Sequence, residues 1–235
     1  LIDTGGIMSY DNRKWSKRKN KYSIVDSVTI PYLKKLGIGR IDYLILTHGD
    51  FDHMGEAINL VNNFKIKKVI FNCGRYNYLE KQLIDVLERK KIDYYSCVKN
   101  LDIEDFNLQF LNTKIYDNEN DNSNVIYFNY NSYKFLLMGD AGEKRELDIL
   151  ESYNIKDIDF LKVGHHGSNT SSSKIFINSI NPKYSLISVG KNNKFGHPRS
   201  SVLNILKNST IYRTDEDGSI KIILSKNEYK IRTNS

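Results

Sequence analysis

His48, Asp50, Asp52 and His53 lie within one short run, Thr47-His48-Gly49-Asp50-Phe51-Asp52-His53. Two imidazoles and two carboxylates so close together are metal donors, and nothing in the stability of a fold requires that density. A solvated polar loop is the alternative, but the chain has five histidines and four of them fall in two tight clusters. The second cluster is Gly164-His165-His166-Gly167-Ser168, and between the two stands Asp140, flanked by glycine in Gly139-Asp140-Ala141-Gly142. Three or four donors satisfy one ion, so this set is enough for two. A pair of divalent ions with Asp140 as the bridging ligand supplies a nucleophile at neutral pH and stabilises charge on phosphoryl oxygens. Metal-assisted hydrolysis is the chemistry these residues predict.

Each cluster follows an apolar run that reads as a strand: Ile41 to Leu46 before His48, Phe135 to Met138 before Asp140, and Ile158 to Val163 before His165. In α/β proteins ligands collect at the carboxyl ends of strands, so three strands ending in His/Asp, Asp and His/His predict one shared site. Around them the pattern alternates. Helices are expected over 30–36, 54–64, 78–90, 143–153, 173–180 and 198–207. Strands are expected over 41–47, 67–71, 92–98, 125–130, 133–138, 158–163 and 184–189, with short strands at 211–213, 219–224 and 229–231. Residues 48–53 and 117–124 read as loops, Asn131-Ser132 as a hairpin turn and 215–218 as a turn. The class is α/β, and no composition break divides the 235 residues, so a single domain over 1–235 is expected. The opening Leu1-Ile2-Asp3-Thr4-Gly5-Gly6 reads as the end of a strand running into a turn, as in a fragment that lacks its first strand or strands.

Composition narrows the substrate. No stretch approaches the ~18 apolar residues of a membrane span, and no signal peptide opens the chain. Cys73 and Cys97 lack CxxC spacing, so a Cys zinc site and a disulfide are not expected, and both read as buried thiols. The net charge is +7, and six cations fall between Asp11 and Tyr22, interleaved with Trp15. Arg13, Lys14, Lys17 and Arg18 there suit a polyanion whose bases can stack, which favours DNA, single or double stranded, as partner. A solvated loop is the competing reading.

The order Asp3-Thr4-Gly5, His48-x-Asp50-x-Asp52-His53, Gly139-Asp140, Gly164-His165-His166-Gly167 resembles the metallo-β-lactamase superfamily. Leu161 to Ser168, Ser188-Val189-Gly190 and Asn193-Lys194-Phe195-Gly196-His197-Pro198 resemble, more specifically, the ComEC family of competence proteins. The resemblance covers nearly the whole chain. It implies an αββα sandwich of the metallo-β-lactamase type and a nuclease that degrades the DNA strand not imported. In that family the domain is fused to a membrane channel and sits at the outer face of the cell membrane; a free-standing hydrolase would instead be cytoplasmic. Two departures bear on the metal. Many members carry histidine where this chain has Asp50, and a further histidine between the motif and the bridging Asp, whereas no histidine lies between His53 and His165. Ser123 and Asn124 in that interval are poor ligands. A carboxylate in place of an imidazole hardens a site, so Mn²⁺ is expected, with Zn²⁺ as the alternative, in one or two ions and with no organic cofactor.

Roles follow from chemistry and motif position. His48, Asp50, Asp52, His53 and Asp140 are expected metal ligands, with His166 as the ligand of the second cluster. Asp52, His165 and His197 are expected catalytic residues, His165 at the substrate phosphate and His197 as a phosphate-binding residue or the acid for the leaving group. Asp3 is expected to orient a ligand imidazole, and Ser168 to face substrate with the basic segment. If His165 and His166 continue the strand, their side chains face opposite ways. A hydrolase of small phosphodiesters or phosphocholine esters shares the same metal chemistry. A catalytically weak DNA-binding module is the non-enzymatic alternative, and metal content separates it from both.

Overall fold

The computed structural model describes residues 1–6, 22–226 and 228–234. The chain divides into two compact units, Leu1–Val98 and Lys99–Ser235.

In the first unit a single π-helical turn, Val25–Thr29, leads into α1 (Ile30–Lys35), whose Pro31 lies in the first turn, where its missing N–H leaves no bond unmade. The strands β1 (Ile41–Ile45), β2 (Ile66–Ile70) and β3 (Asp93–Tyr95) form a parallel sheet in that order. Parallel neighbours require crossovers, supplied by α2 (Phe51–Met54), α3 (Ala57–Asn63) and α4 (Tyr78–Lys90). The core between sheet and helices is Leu44, Leu46, Val69, Phe71, Ala57, Leu60, Leu83 and Leu87. α4 begins with a capping box in which Asn77 accepts from the Glu80 N–H at 3.1 Å and Glu80 accepts from the Asn77 N–H at 2.8 Å.

In the second unit seven strands lie in the order β10-β9-β8-β7-β6-β5-β4. They are β4 (Asn100–Ile103), β5 (Phe106–Phe110), β6 (Ile126–Tyr130), β7 (Tyr133–Leu137), β8 (Phe160–Lys162), β9 (Tyr184–Ile187) and β10 (Thr210–Arg213). β4 to β7 run antiparallel and β7 to β10 parallel, so the carboxyl ends of β7, β8 and β9 share one edge. Helices α5 (Glu143–Ser152), α6 (Lys174–Ile180) and α7 (Ser200–Ile205) cross between the parallel strands. A core of Leu136, Met138, Ile149, Leu161, Val163, Phe176, Ile177, Ile187 and Val202 seals them to the sheet. After α8 (Thr214–Asp217) the chain ends in the antiparallel pair β11 (Ser219–Leu224) and β12 (Tyr229–Asn234).

Several expectations are corrected. The ligand segment is not wholly loop, because Phe51–Met54 is already helical, and the helix expected over 54–64 is broken at Gly55-Glu56 into α2 and α3. The β4–β5 hairpin was not expected; Leu101/Ile103 and Phe106/Leu108/Phe110 alternate in the strand period around a turn at Glu104, φ 42°. Residues 214–217 form a helical turn rather than an open one. The turn at Asn131-Ser132 is as expected, both residues having positive φ, as the right-handed twist of a two-residue hairpin favours.

The cysteines are the largest correction. Cys73 and Cys97 are joined as a disulfide with Cα atoms 4.6 Å apart. Spacing alone hid this. Ile70 pairs with Tyr95, and the Phe71 N–H donates to the Tyr95 carbonyl at 2.8 Å, so each cysteine follows shortly after the last paired residue of adjacent parallel strands. Neither is buried. Closing a loop with a sequence separation of 24 removes denatured-state freedom worth about 3 kcal/mol. Reduction, or Cys97→Ser, is therefore expected to lower the melting temperature by roughly 6–12 °C for a chain of this size. Coincident melts with and without reductant would show that the crosslink carries no stability.

Candidate metal centre

In the first unit, β1 delivers Thr47 and His48, and the first turn of α2 delivers Asp52 and His53. Asp3 ties them together. Its Oδ1 accepts from the Thr47 N–H at 2.8 Å and its Oδ2 from the Thr47 hydroxyl at 2.7 Å. The same Oδ2 stands 2.7 Å from His53 Nδ1. Because a carboxylate accepts, His53 Nδ1 carries the proton and Nε2 is its donor nitrogen. The Thr47 hydroxyl proton is committed to Asp3, so its oxygen accepts from His48 Nδ1 at 3.1 Å, which fixes the same tautomer in His48. The two rings lie with centroids 4.2 Å apart.

His48 is 0% exposed, and its Nε2 is a buried atom with no hydrogen-bond partner. Burying a polar nitrogen unpaired is costly, and an unprotonated imidazole nitrogen is what a divalent ion requires, so this cluster fits a metal. The Asp50 carboxylate stands 3.6 Å from that nitrogen and is half exposed. Asp52 is exposed on α2. The segment is clamped by backbone: the Thr4 and Gly5 N–H groups both donate to the His53 carbonyl, at 2.8 and 2.9 Å. Asn77 donates to the Gly49 carbonyl at 2.8 Å, and a Cβ on Gly49 would lie 2.0 Å from that amide nitrogen, so a side chain there would displace the Asn77 amide.

In the second unit the shared edge of β7, β8 and β9 presents Asp140, the two histidines and Ser188. Asp140 is buried, its N–H donating to the Ser123 hydroxyl at 3.0 Å. Ser123 thus serves this loop as a brace. Asp121 does likewise, accepting from the Gly142 N–H at 2.8 Å.

The expected alternation of His165 and His166 does not occur. β8 ends at Lys162, and both histidines are left-handed, with φ 46° and 54°. Successive left-handed residues turn the chain instead of extending it, so both imidazoles reach the same carboxylate. His166 Nε2 lies 3.4 Å and His165 Nε2 3.8 Å from Asp140 Oδ2. Their other nitrogens differ. His166 Nδ1 donates to the Ser188 carbonyl at 2.7 Å, which leaves Nε2 as its donor nitrogen. His165 Nδ1 meets the Thr170 hydroxyl at 3.0 Å, a partner that can give or accept and so fixes no tautomer. Ser168 is 4% exposed and bonded to Thr170 at 3.0 Å; it supports the His165 partner and does not face solvent as a substrate contact would.

His197 follows β9, its ring 5.9 Å from that of His165. Burial first, then the nearby His165, Arg199 and His166, hold it below the ordinary imidazole range. The turn and this segment pack closely: Gly167 has φ 80°, and a Cβ there would stand 2.6 Å from the Pro198 Cβ. Arg13, Lys14, Lys17 and Arg18 lie outside the described residues.

Sequence reading missed Thr47, Ser188, Thr170, Ser123 and Asn77. Only Asn77 left a signal, as the first residue of Asn77-x-x-Glu80 before an apolar-periodic helix. The network makes one prediction. Asp3→Ala should weaken metal affinity by roughly 10- to 100-fold in a metal titration. Unchanged affinity would mean that Thr47 alone orients both rings.

The family model described as "Metallo-beta-lactamase superfamily" matches residues 1–191. The chain is 35% identical over 229 residues to ComE operon protein 3 of Bacillus subtilis (strain 168), covering 94% of this chain and 29% of the relative. It is 31% identical over 209 residues to competence protein ComA of Neisseria gonorrhoeae, covering 86% of this chain and 28% of the relative. It therefore spans less than a third of the length of these relatives. Among solved structures it is similar to the metallo-β-lactamase fold protein YhfI from Bacillus subtilis, with a TM-score of 0.50, 11% identity and 82% of each chain covered. Among the described residues no helix is long and apolar enough to cross a membrane.

Proposed function

The chain belongs to the metallo-β-lactamase superfamily of metal-dependent hydrolases, and we propose that it is a DNA nuclease domain of a competence protein. One observation carries the metal part of the reading. His48, His53 and His166 each commit Nδ1 to an oxygen partner, Thr47, Asp3 and the Ser188 carbonyl, so all three turn the same nitrogen, Nε2, to a ligand. Oxygen partners on two separate segments, the Asp3–Thr47 pair and the Ser188 carbonyl, enforcing one tautomer is the pattern of imidazoles held for metal.

In this reading His48, Asp50, Asp52, His53, Asp140 and His166 are the residues that would hold the one or two divalent ions. Mn²⁺ is the activating ion and Zn²⁺ the alternative, because Asp50 hardens the set. A bound ion of this kind supplies a nucleophile at neutral pH and draws charge from phosphoryl oxygens. The residues do the rest. Asp52 takes up the proton of the attacking water, and His165 and His197 hold the substrate phosphate in line. Asp3 and Thr47 keep two imidazoles oriented without touching substrate.

DNA as substrate is supported by the competence-related relatives and by the cations between Asp11 and Tyr22. In the whole protein the domain would be fused to a membrane channel at the outer face of the cell membrane and degrade the strand not taken in. The test is hydrolysis of single- and double-stranded DNA, faster with Mn²⁺ than with Zn²⁺. Neutralising Arg13, Lys14, Lys17 and Arg18 together should reduce the slope of log affinity against log salt, by up to about 0.9 per lost phosphate contact. An unchanged slope would assign the segment to solvent. A folded protein inert on DNA with either ion, yet active on a small phosphodiester, would establish the small-substrate reading.

A further inference from the structure

Phe195 is a large apolar side chain left 58% exposed, and its exposure is organised. Its ring lies on that of His197 with centroids 6.0 Å apart and planes 15° from parallel. His197 in turn stands 5.9 Å from His165, whose Nε2 is 3.8 Å from Asp140. The exposed ring is thus the outer member of a row of rings leading away from the site's acidic corner.

The segment that carries it is braced. The Asn193 amide donates to the His197 carbonyl at 2.6 Å and to the Gly190 carbonyl at 3.3 Å, and its oxygen accepts from the His197 N–H at 2.9 Å. One side chain therefore closes the loop and fixes the residue under the phenyl ring. The same segment carries three exposed cations, Lys191, Lys194 and Arg199. The Arg199 guanidinium lies beside Gly196, 3.4 Å from where a Cβ would stand.

Single exposed aromatics are common on protein surfaces and need no explanation. This one differs because it is stacked on a polar ring instead of entering the core, while more than half of it is exposed and its own segment carries three exposed cations. That combination is what a single nucleic-acid strand uses: cations for the backbone and an aromatic face for a base. We propose that Phe195, backed by His197 and flanked by Lys191, Lys194 and Arg199, is a stacking platform for an unpaired nucleobase next to the phosphate held at His165. The inference rests on the nuclease reading and adds to it that the bound strand is single at this position. A base leaving the duplex stack is recovered by the ring, and every base has a π face, so the platform is indifferent to sequence.

Binding is measured with the metal-loaded protein and hydrolysis-resistant phosphorothioate strands of equal length, one of oligothymidylate and one abasic. The native protein should prefer the base-bearing strand. Phe195→Ala should weaken oligothymidylate about tenfold and leave the abasic strand unchanged, while Phe195→Trp keeps the preference. Because the ring is exposed, Phe195→Ala should melt with the native protein, which excludes a folding defect. Equal affinity of the native protein for both strands, or equal weakening of both by Phe195→Ala, overturns the platform even where DNA is cleaved. A base preference lost in Phe195→Ala, with native protein that cleaves no ordinary DNA, upholds the platform and overturns the nuclease reading.

Discussion

Asp140→Ala and Asp52→Ala are each expected to strip at least one divalent ion from the protein and to lower phosphodiester turnover by roughly a thousandfold. Asp140 is the more informative of the two. Its carboxylate is buried, and its position is set by backbone: the Ser123 hydroxyl receives its N–H, and the Gly139 carbonyl beside it accepts from the His165 N–H at 3.2 Å. Those bonds survive loss of the side chain, so the strand end should persist while the ligand disappears. Asp140→Asn sharpens the test, since it keeps the shape and removes the charge. Elemental analysis gives the stoichiometry and a single-turnover assay the rate. Unchanged metal content in both the Asp52 and Asp140 variants would remove these residues from the centre.

The two adjacent histidines should separate cleanly. His166→Ala is expected to lower metal stoichiometry, because the Ser188 carbonyl fixes its Nδ1 as a donor and turns Nε2 toward Asp140. His165→Ala is expected to keep the metal and lose turnover by about 10²- to 10⁴-fold, the range for a positioned proton-transfer or phosphate contact. Its hydroxyl partner Thr170 imposes no tautomer, so the ring is free to turn an N–H to a substrate phosphate. Metal lost from the His165 variant and kept in the His166 variant would reverse the assignment.

The placement of the candidate ligands at strand ends was legible because three apolar runs each stop at a His or Asp, and a buried strand cannot continue through such residues without partners. What escaped sequence reading has physical reasons. The left-handed turn at His165 and His166 is invisible because that conformation is usually announced by glycine or asparagine, and here it is held by the surrounding bonds. The disulfide depends on the register of β2 against β3, which spacing does not encode. Ser188 acts through its carbonyl, a group every residue has. The β4–β5 hairpin alternates correctly but lacks the Asn-Gly or Gly-X turn that marks a hairpin.

The turn at Gly164–Gly167 has a consequence for how the chain can change. A non-glycine residue in the left-handed region costs about 1–2 kcal/mol, and here two stand side by side. Glycine at either position would relieve that strain, so a screen that selects only for heat resistance should repeatedly discard His165 and His166. Thermal tolerance and activity are thus set against each other at a single bend. A variant that melts higher after losing either imidazole has recovered what the natural sequence forgoes in order to keep two rings facing one carboxylate.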